Sequence, residues 1–81
     1  MTVRVRLFAA LRQAAGHEAI EVALPAGATV ADLRRRLGEL LPAAAGVLPH
    51  ALFAIEAAYA GDDRALSAGA EVACIPPVSG G

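Results

Sequence analysis

The residues best placed to do chemistry are the last two, Gly80 and Gly81, approached through Pro76-Pro77-Val78-Ser79. Glycine has no Cβ, so a Gly-Gly end can lie extended in a channel too narrow for any side chain. It then presents a carboxyl group to an active site on another protein. That carboxyl titrates at about 3.5 and is an anion at neutral pH. A carboxylate is a poor electrophile, so chemistry at Gly81 requires prior activation, most simply as an acyl-adenylate made with ATP. The two prolines fix φ and cannot extend a strand ladder, so they end the preceding strand and hold the tail clear of the body. A bare Gly-Gly end is usually a frayed, inert terminus. The Pro-Pro-Val-Ser block directly after a strand favours a working tail instead.

No other residues assemble a catalytic constellation. Ser67 and Ser79 lack a nearby His–Asp pairing, and His17 and His50 both fall in loops, where an ordinary surface role is expected. Asp62-Asp63 supplies too few oxygens for calcium. The single Cys74 excludes an internal disulfide, and with two distant histidines it cannot build a structural zinc site or a four-thiolate iron–sulfur cluster. No metal or cofactor is therefore expected on this chain, and Cys74, inside a strand, reads as a small buried hydrophobe. With a net charge of −1, 4% aromatic residues and no basic stripe, the chain lacks a nucleic-acid footprint. No apolar run is long enough to span a bilayer, and Arg4 and Arg6 stand where a signal peptide needs its apolar stretch, so a cytoplasmic location is expected. Lysine is absent and all seven basic side chains are arginines, which leaves no amine for a Schiff base, a P-loop or an isopeptide bond to itself.

The elements that must hold the tail follow from periodicity. With 81 residues the chain makes one small domain, near the size where a single core only just suffices. Thr2 to Phe8 alternates, with Val3, Val5 and Leu7 facing one way and Phe8 the other, and Glu18 to Leu24 alternates likewise. Ala9 to Ala15 is rich in helix formers and Gly16 suits a C′ stop. Thr29 reads as an N-cap with Asp32 completing a variant capping box. Val30, Leu33, Leu37, Leu40 and Leu41 then form one apolar stripe on the main helix, ended by Pro42. Arg34-Arg35-Arg36 point in steps of roughly 100° and read as a solvated face, not an anion site. Ala43 to His50 is a loop. Phe53 to Tyr59 reads as a third strand with Ile55 and Ala57 inward, and Glu71 to Ile75 as the last, with Val72 and Cys74 buried. The fold class is α+β, a roll with one helix packed across one face of one sheet. Phe8 and Ile75 fall on the uncovered face with Tyr59 nearby, and an apolar patch there marks a partner surface.

Read over nearly its full length, the chain resembles the MoaD family, the small sulfur-carrier subunit of molybdopterin synthase. The resemblance rests on Leu7-Phe8-Ala9-Ala10-Leu11-Arg12 through Gly16, on Thr29-Val30-Ala31-Asp32-Leu33, and above all on Leu66 to Ala73 running into Pro76-Pro77-Val78-Ser79-Gly80-Gly81. Glu56 stands where that family usually has Asn, and Ala70 where an Asp is usual. The resemblance implies a ubiquitin-like β-grasp with a mixed sheet over residues 1–75 and an extended tail over 76–81. It also implies a mechanism. An E1-like, MoeB-like enzyme would use ATP to adenylate Gly81, and sulfur from a donor would displace AMP to leave a thiocarboxylate. The MoaE-like large subunit would take Pro76 to Gly80 into its active site, where the sulfur builds the dithiolene of the pterin. Catalytic side chains would belong to that subunit, and Phe8, Tyr59 and Ile75 would form the interface with it. Three other readings share the same features: the sulfur carrier of thiamine thiazole synthesis, a ubiquitin-like protein modifier, and an interaction module with an inert tail.

Overall fold

Alternation in the sequence becomes a two-sided sheet in the computed structural model, which describes residues 1–77. The strands are β1 (Thr2–Leu7), β2 (Ala19–Ala23), β3 (Leu52–Ile55), β4 (Ala58–Ala60) and β5 (Glu71–Ile75), and the helices are α1 (Ala9–Ala15) and α2 (Val30–Leu40). The sheet order is β2-β1-β5-β3-β4. β1 and β5 pair in parallel at the centre, and the remaining neighbours are antiparallel. The mixed sheet and single long helix expected from the sequence are therefore present.

Register explains the core. Val5 lies beside Ile20 on one side and Val72 on the other, and Cys74 lies between Leu7 and Phe53. Val3, Val5, Leu7, Val22, Phe53, Ile55, Val72 and Cys74 are all buried on this one face, and Val30, Leu33 and Leu37 of α2 close over it. Each such aliphatic side chain contributes roughly 1.5–3 kcal/mol when fully removed from water. α2 starts where the sequence signals it. Thr29 is the N-cap, and its side chain and the Asp32 carboxylate satisfy each other's backbone N–H groups. The Thr29 backbone N–H, and then Arg35 at 2.8 Å, hold the Asp32 carboxyl below its usual range.

Three expectations are corrected. The segment read as one strand from Phe53 to Tyr59 is a hairpin, β3–β4. Glu56 and Ala57 both adopt positive φ, 52° and 64°, and Ile55 pairs with Ala58 across them. Two successive left-handed residues make the turn whose twist matches a hairpin. Ala57 is thus exposed at the turn, and Phe53 takes the inward place beside Ile55. Glu56 occupies the turn position where the resembled family carries Asn, a residue that tolerates left-handed backbone better than Glu does. Leu40 does not join the buried stripe. It is 42% exposed because α2 ends there, and the non-helical backbone of Leu41 (φ −124°, ψ 69°) turns Leu41 against the core instead.

The third correction concerns Arg34. Arg35 and Arg36 are solvated and paired with Asp32 and Glu39 on their own helix. Arg34 sits next to Leu33 at the border of the buried stripe, with its side chain only 22% exposed. Its Nη1 donates to the carbonyls of Leu48 and Ala51, each at 2.8 Å, and its Nη2 donates to Asp62 at 2.8 Å. The guanidinium also lies 4.9 Å from the centre of the Phe53 ring. One planar fork thereby ties the segment around the short 3₁₀ turns Pro42–Ala44 and Leu48–His50, together with the Asp62 turn, to the helix.

Candidate functional site

The strand order sets out the uncovered face residue by residue. Leu7 is level with Cys74, so Phe8 follows at the level of Ile75, and Ile75 is paired with Leu52. One step back lie Arg6, Ala73, Ala54 and Tyr59 in register. One step further Arg4 pairs with Glu71. The face thus has an apolar end (Phe8, Ile75, Leu52), a middle floored by the small Ala73 and Ala54, and a charged far end.

Phe8 is 41% exposed, as expected for a residue out of phase with the buried set of β1. It is the N-cap of α1, held extended at φ −123° and followed by Ala9 at φ 51°, a left-handed value uncommon for alanine. Leu11 anchors α1 in the core behind it. Arg6 lies 5.9 Å from the Phe8 ring centre and 3.7 Å from Glu71, so a charged rim flanks the aromatic ring. Tyr59 is 73% exposed on the edge strand, on the same face but three strand spacings of about 4.8 Å away from β1. Ile75 is half-buried, not exposed as expected: it lies on a central strand, with Phe8 and Leu52 on either side. Leu52, 48% exposed, belongs to this face and was missing from the sequence reading. Its signal is the alternation Leu52-Phe53-Ala54-Ile55, visible only when the strand is begun one residue earlier.

β5 delivers the chain to Pro76 and Pro77 next to this apolar end. Val78, Ser79, Gly80 and Gly81, the rest of the expected tail, lie outside the described residues. Cys74 points the other way. It is fully buried, and burial pushes its thiol up to about 12, with Arg34 opposing weakly. A thiol so held is neither a thiolate at neutral pH nor within reach of a partner. His17 and His50 are exposed. Among the described residues, no three His, Cys, Asp or Glu side chains are close enough to hold a metal ion, and no helix is long and apolar enough to cross a membrane.

A five-stranded mixed sheet crossed by one capped helix, with the chain's last strand running out beside an uncovered apolar patch, defines a ubiquitin-like β-grasp protein. SAMP1, the small archaeal modifier protein 1 of Haloferax volcanii, superimposes with a TM-score of 0.83 at 32% identity over 100% of both chains. A Pyrococcus furiosus protein assigned as subunit 1 of a molybdopterin converting factor superimposes with a TM-score of 0.86 at 29% identity, covering 96% of this chain and 99% of that one. In sequence, the molybdopterin synthase sulfur carrier subunit of Chlamydomonas reinhardtii is 37% identical over 83 residues, covering 100% of both proteins. The chain belongs to the ThiS family, whose profile matches residues 5–81. The resemblance to the sulfur-carrier subunits read from the sequence is borne out.

Proposed function

We propose that this chain is the sulfur-carrier subunit of a molybdopterin synthase, acting in the cytoplasm with its C-terminal carboxyl as the reacting group. The observation that carries the reading is full-length similarity to a sulfur carrier subunit in a chain whose last strand runs into Pro76-Pro77 beside an uncovered apolar patch. An E1-like, MoeB-like enzyme joins Gly81 to AMP with release of pyrophosphate, and sulfur from a donor then displaces AMP. Sulfur is the better nucleophile, and the thiocarboxylate attacks the pterin precursor in the MoaE-like large subunit. This chain supplies no catalytic side chain and holds no cofactor; ATP is the substrate of the activating enzyme. The test is intact-protein mass after incubation with ATP, the activating enzyme and a sulfur donor. Replacement of one carboxylate oxygen by sulfur adds about sixteen mass units, and an unchanged mass alongside normal ATP–pyrophosphate exchange would refute the sulfur-carrier reading.

In this reading Phe8, Ile75 and Tyr59, together with Leu52, seat the chain on the large subunit, while Pro76 to Gly80 lead Gly81 into its active site. Partly exposed aromatic and aliphatic groups beside a charged rim have the anatomy of an interface core. Phe8→Ala is expected to weaken binding to the large subunit by more than about 1 kcal/mol while leaving the melting curve almost unchanged. Calorimetric titration and thermal melting of the same preparation separate the two effects. Equal losses of affinity and stability would put Phe8 in the core.

The likeness to SAMP1 supports a second reading, in which the activated Gly81 is joined to amines of target proteins. Chemistry up to the adenylate is common to both. A ladder of slower-migrating conjugates in cell lysate supports the second, and its absence leaves the carrier role alone.

A further inference from the structure

Activation at Gly81 creates a hazard that the rest of the molecule answers. An acyl-adenylate is attacked by any neutral amine or thiolate that reaches it, and other copies of the same chain are potential acceptors. The attack forms a C–N bond to the Gly81 carbonyl carbon, AMP leaves with the electron pair of the broken C–O bond, and the amine's proton passes to water. Lysine, with its ordinary pKa near ~10.4, is the usual protein acceptor, whereas the arginine guanidinium stays protonated and is not acylated.

All seven basic side chains of this sequence are arginines. Their electrostatic work is intact, since Arg6, Arg12, Arg34, Arg35 and Arg36 each pair with a carboxylate. The thiol class is closed off as well, because Cys74 is fully buried on the core face between Leu7 and Phe53. One amine remains, at Met1. It donates to the Leu24 carbonyl at 2.7 Å, and the Met1 side chain packs against the core, so this group is tied to the end of β2.

We propose that this chain is a self-inert acyl carrier: its arginine-only cations, buried Cys74 and bonded Met1 amine leave no acceptor for the activated Gly81 of another copy. This rests on acyl activation of Gly81. Activated copies are then preserved for acceptors on partner proteins. Wherever the chain is joined to a target amine, it is joined as a single copy on which no second can be built.

The test uses the chain with Gly81 as a thioester, made by intein cleavage so that no activating enzyme is involved, mixed with the carboxylate form in mildly alkaline buffer at millimolar concentration. Added hydroxylamine should consume the thioester, which establishes that the acyl group is reactive. The parent chain should lose its thioester to hydrolysis alone, with only monomer by intact mass. Arg12→Lys and Arg64→Lys, both at exposed positions, should each produce a covalent dimer that the parent does not form. A parent dimer abolished by Nα-acetylation would locate the acceptor at Met1 and overturn the proposal. Absence of dimer from both lysine variants would overturn it equally, because a lysine surface would then pose no hazard. Neither result depends on whether Gly81 is adenylated in the cell, so the carrier reading fails or survives separately.

Discussion

Deletion of Gly81 is expected to abolish thiocarboxylate formation and synthase activity completely, while leaving the melting temperature and the affinity for the large subunit nearly unchanged. The reason lies in where the stability resides. Every buried apolar residue of the described structure falls between Val3 and Cys74, so the deletion removes none of them. Truncation still leaves a carboxylate at the new end, Gly80, but one residue short of the reacting position in the activating enzyme and in the partner. Substitution of Gly80 by a bulkier residue is the milder case. Any Cβ adds volume that a channel fitted to glycine must accommodate, and activation should suffer more than docking. The same mass measurement checks both: the gain of about sixteen units should vanish with Gly81. Cys74→Ala is the control. With its thiol buried and pushed up to about 12, Cys74 is not a sulfur acceptor, and the alanine variant should gain the mass normally. A truncated chain that still gains sulfur, or a Cys74→Ala chain that does not, would move the sulfur to the thiol and end the Gly81 mechanism.

What could be read in advance depended on whether a residue's role is local. Val3, Val5 and Leu7 alternate because strands have a period of two, and Thr29 and Asp32 cap α2 through bonds between residues three apart, so both were legible. The β3–β4 hairpin was not. Its turn is Glu56-Ala57, without the Asn or Gly that usually signals left-handed backbone, and β3 is held by pairing with the distant β5, from Leu52 with Ile75 to Ile55 with Val72. Arg34 looked like its neighbours Arg35 and Arg36, because its partners Leu48, Ala51 and Asp62 lie 14 to 28 residues away. The site divided in the same way. Phe8 was visible as an out-of-phase aromatic, whereas the half-burial of Ile75 depends on which strands flank β5, and sheet order is not a local property. The chemistry proposed for the tail rests on residue type alone, since Val78 to Gly81 lie outside the described residues.

The helix provides the second large effect, as a contrast between two leucines three residues apart. Leu37 is fully buried in the core, whereas Leu40 is 42% exposed at the end of α2. Leu37→Ala removes three side-chain carbons from a closed core and leaves a cavity that the rigid sheet cannot collapse around, which costs about 2–5 kcal/mol. In a domain of this size each kcal/mol lowers the melting temperature by roughly 4–8 °C, so the variant should be substantially unfolded under conditions where the parent is folded. Leu40→Ala opens no cavity, and alanine is the better helix former. Its change should stay within about 0.5 kcal/mol, the scale of surface substitutions. Denaturant titration of both variants, with equal slopes confirming two-state unfolding, reads the difference directly. Comparable losses for the two would mean that α2 is rotated or extended relative to the sheet. The core-facing stripe would then run through Leu40, and the packing of Leu41 in its place would be wrong.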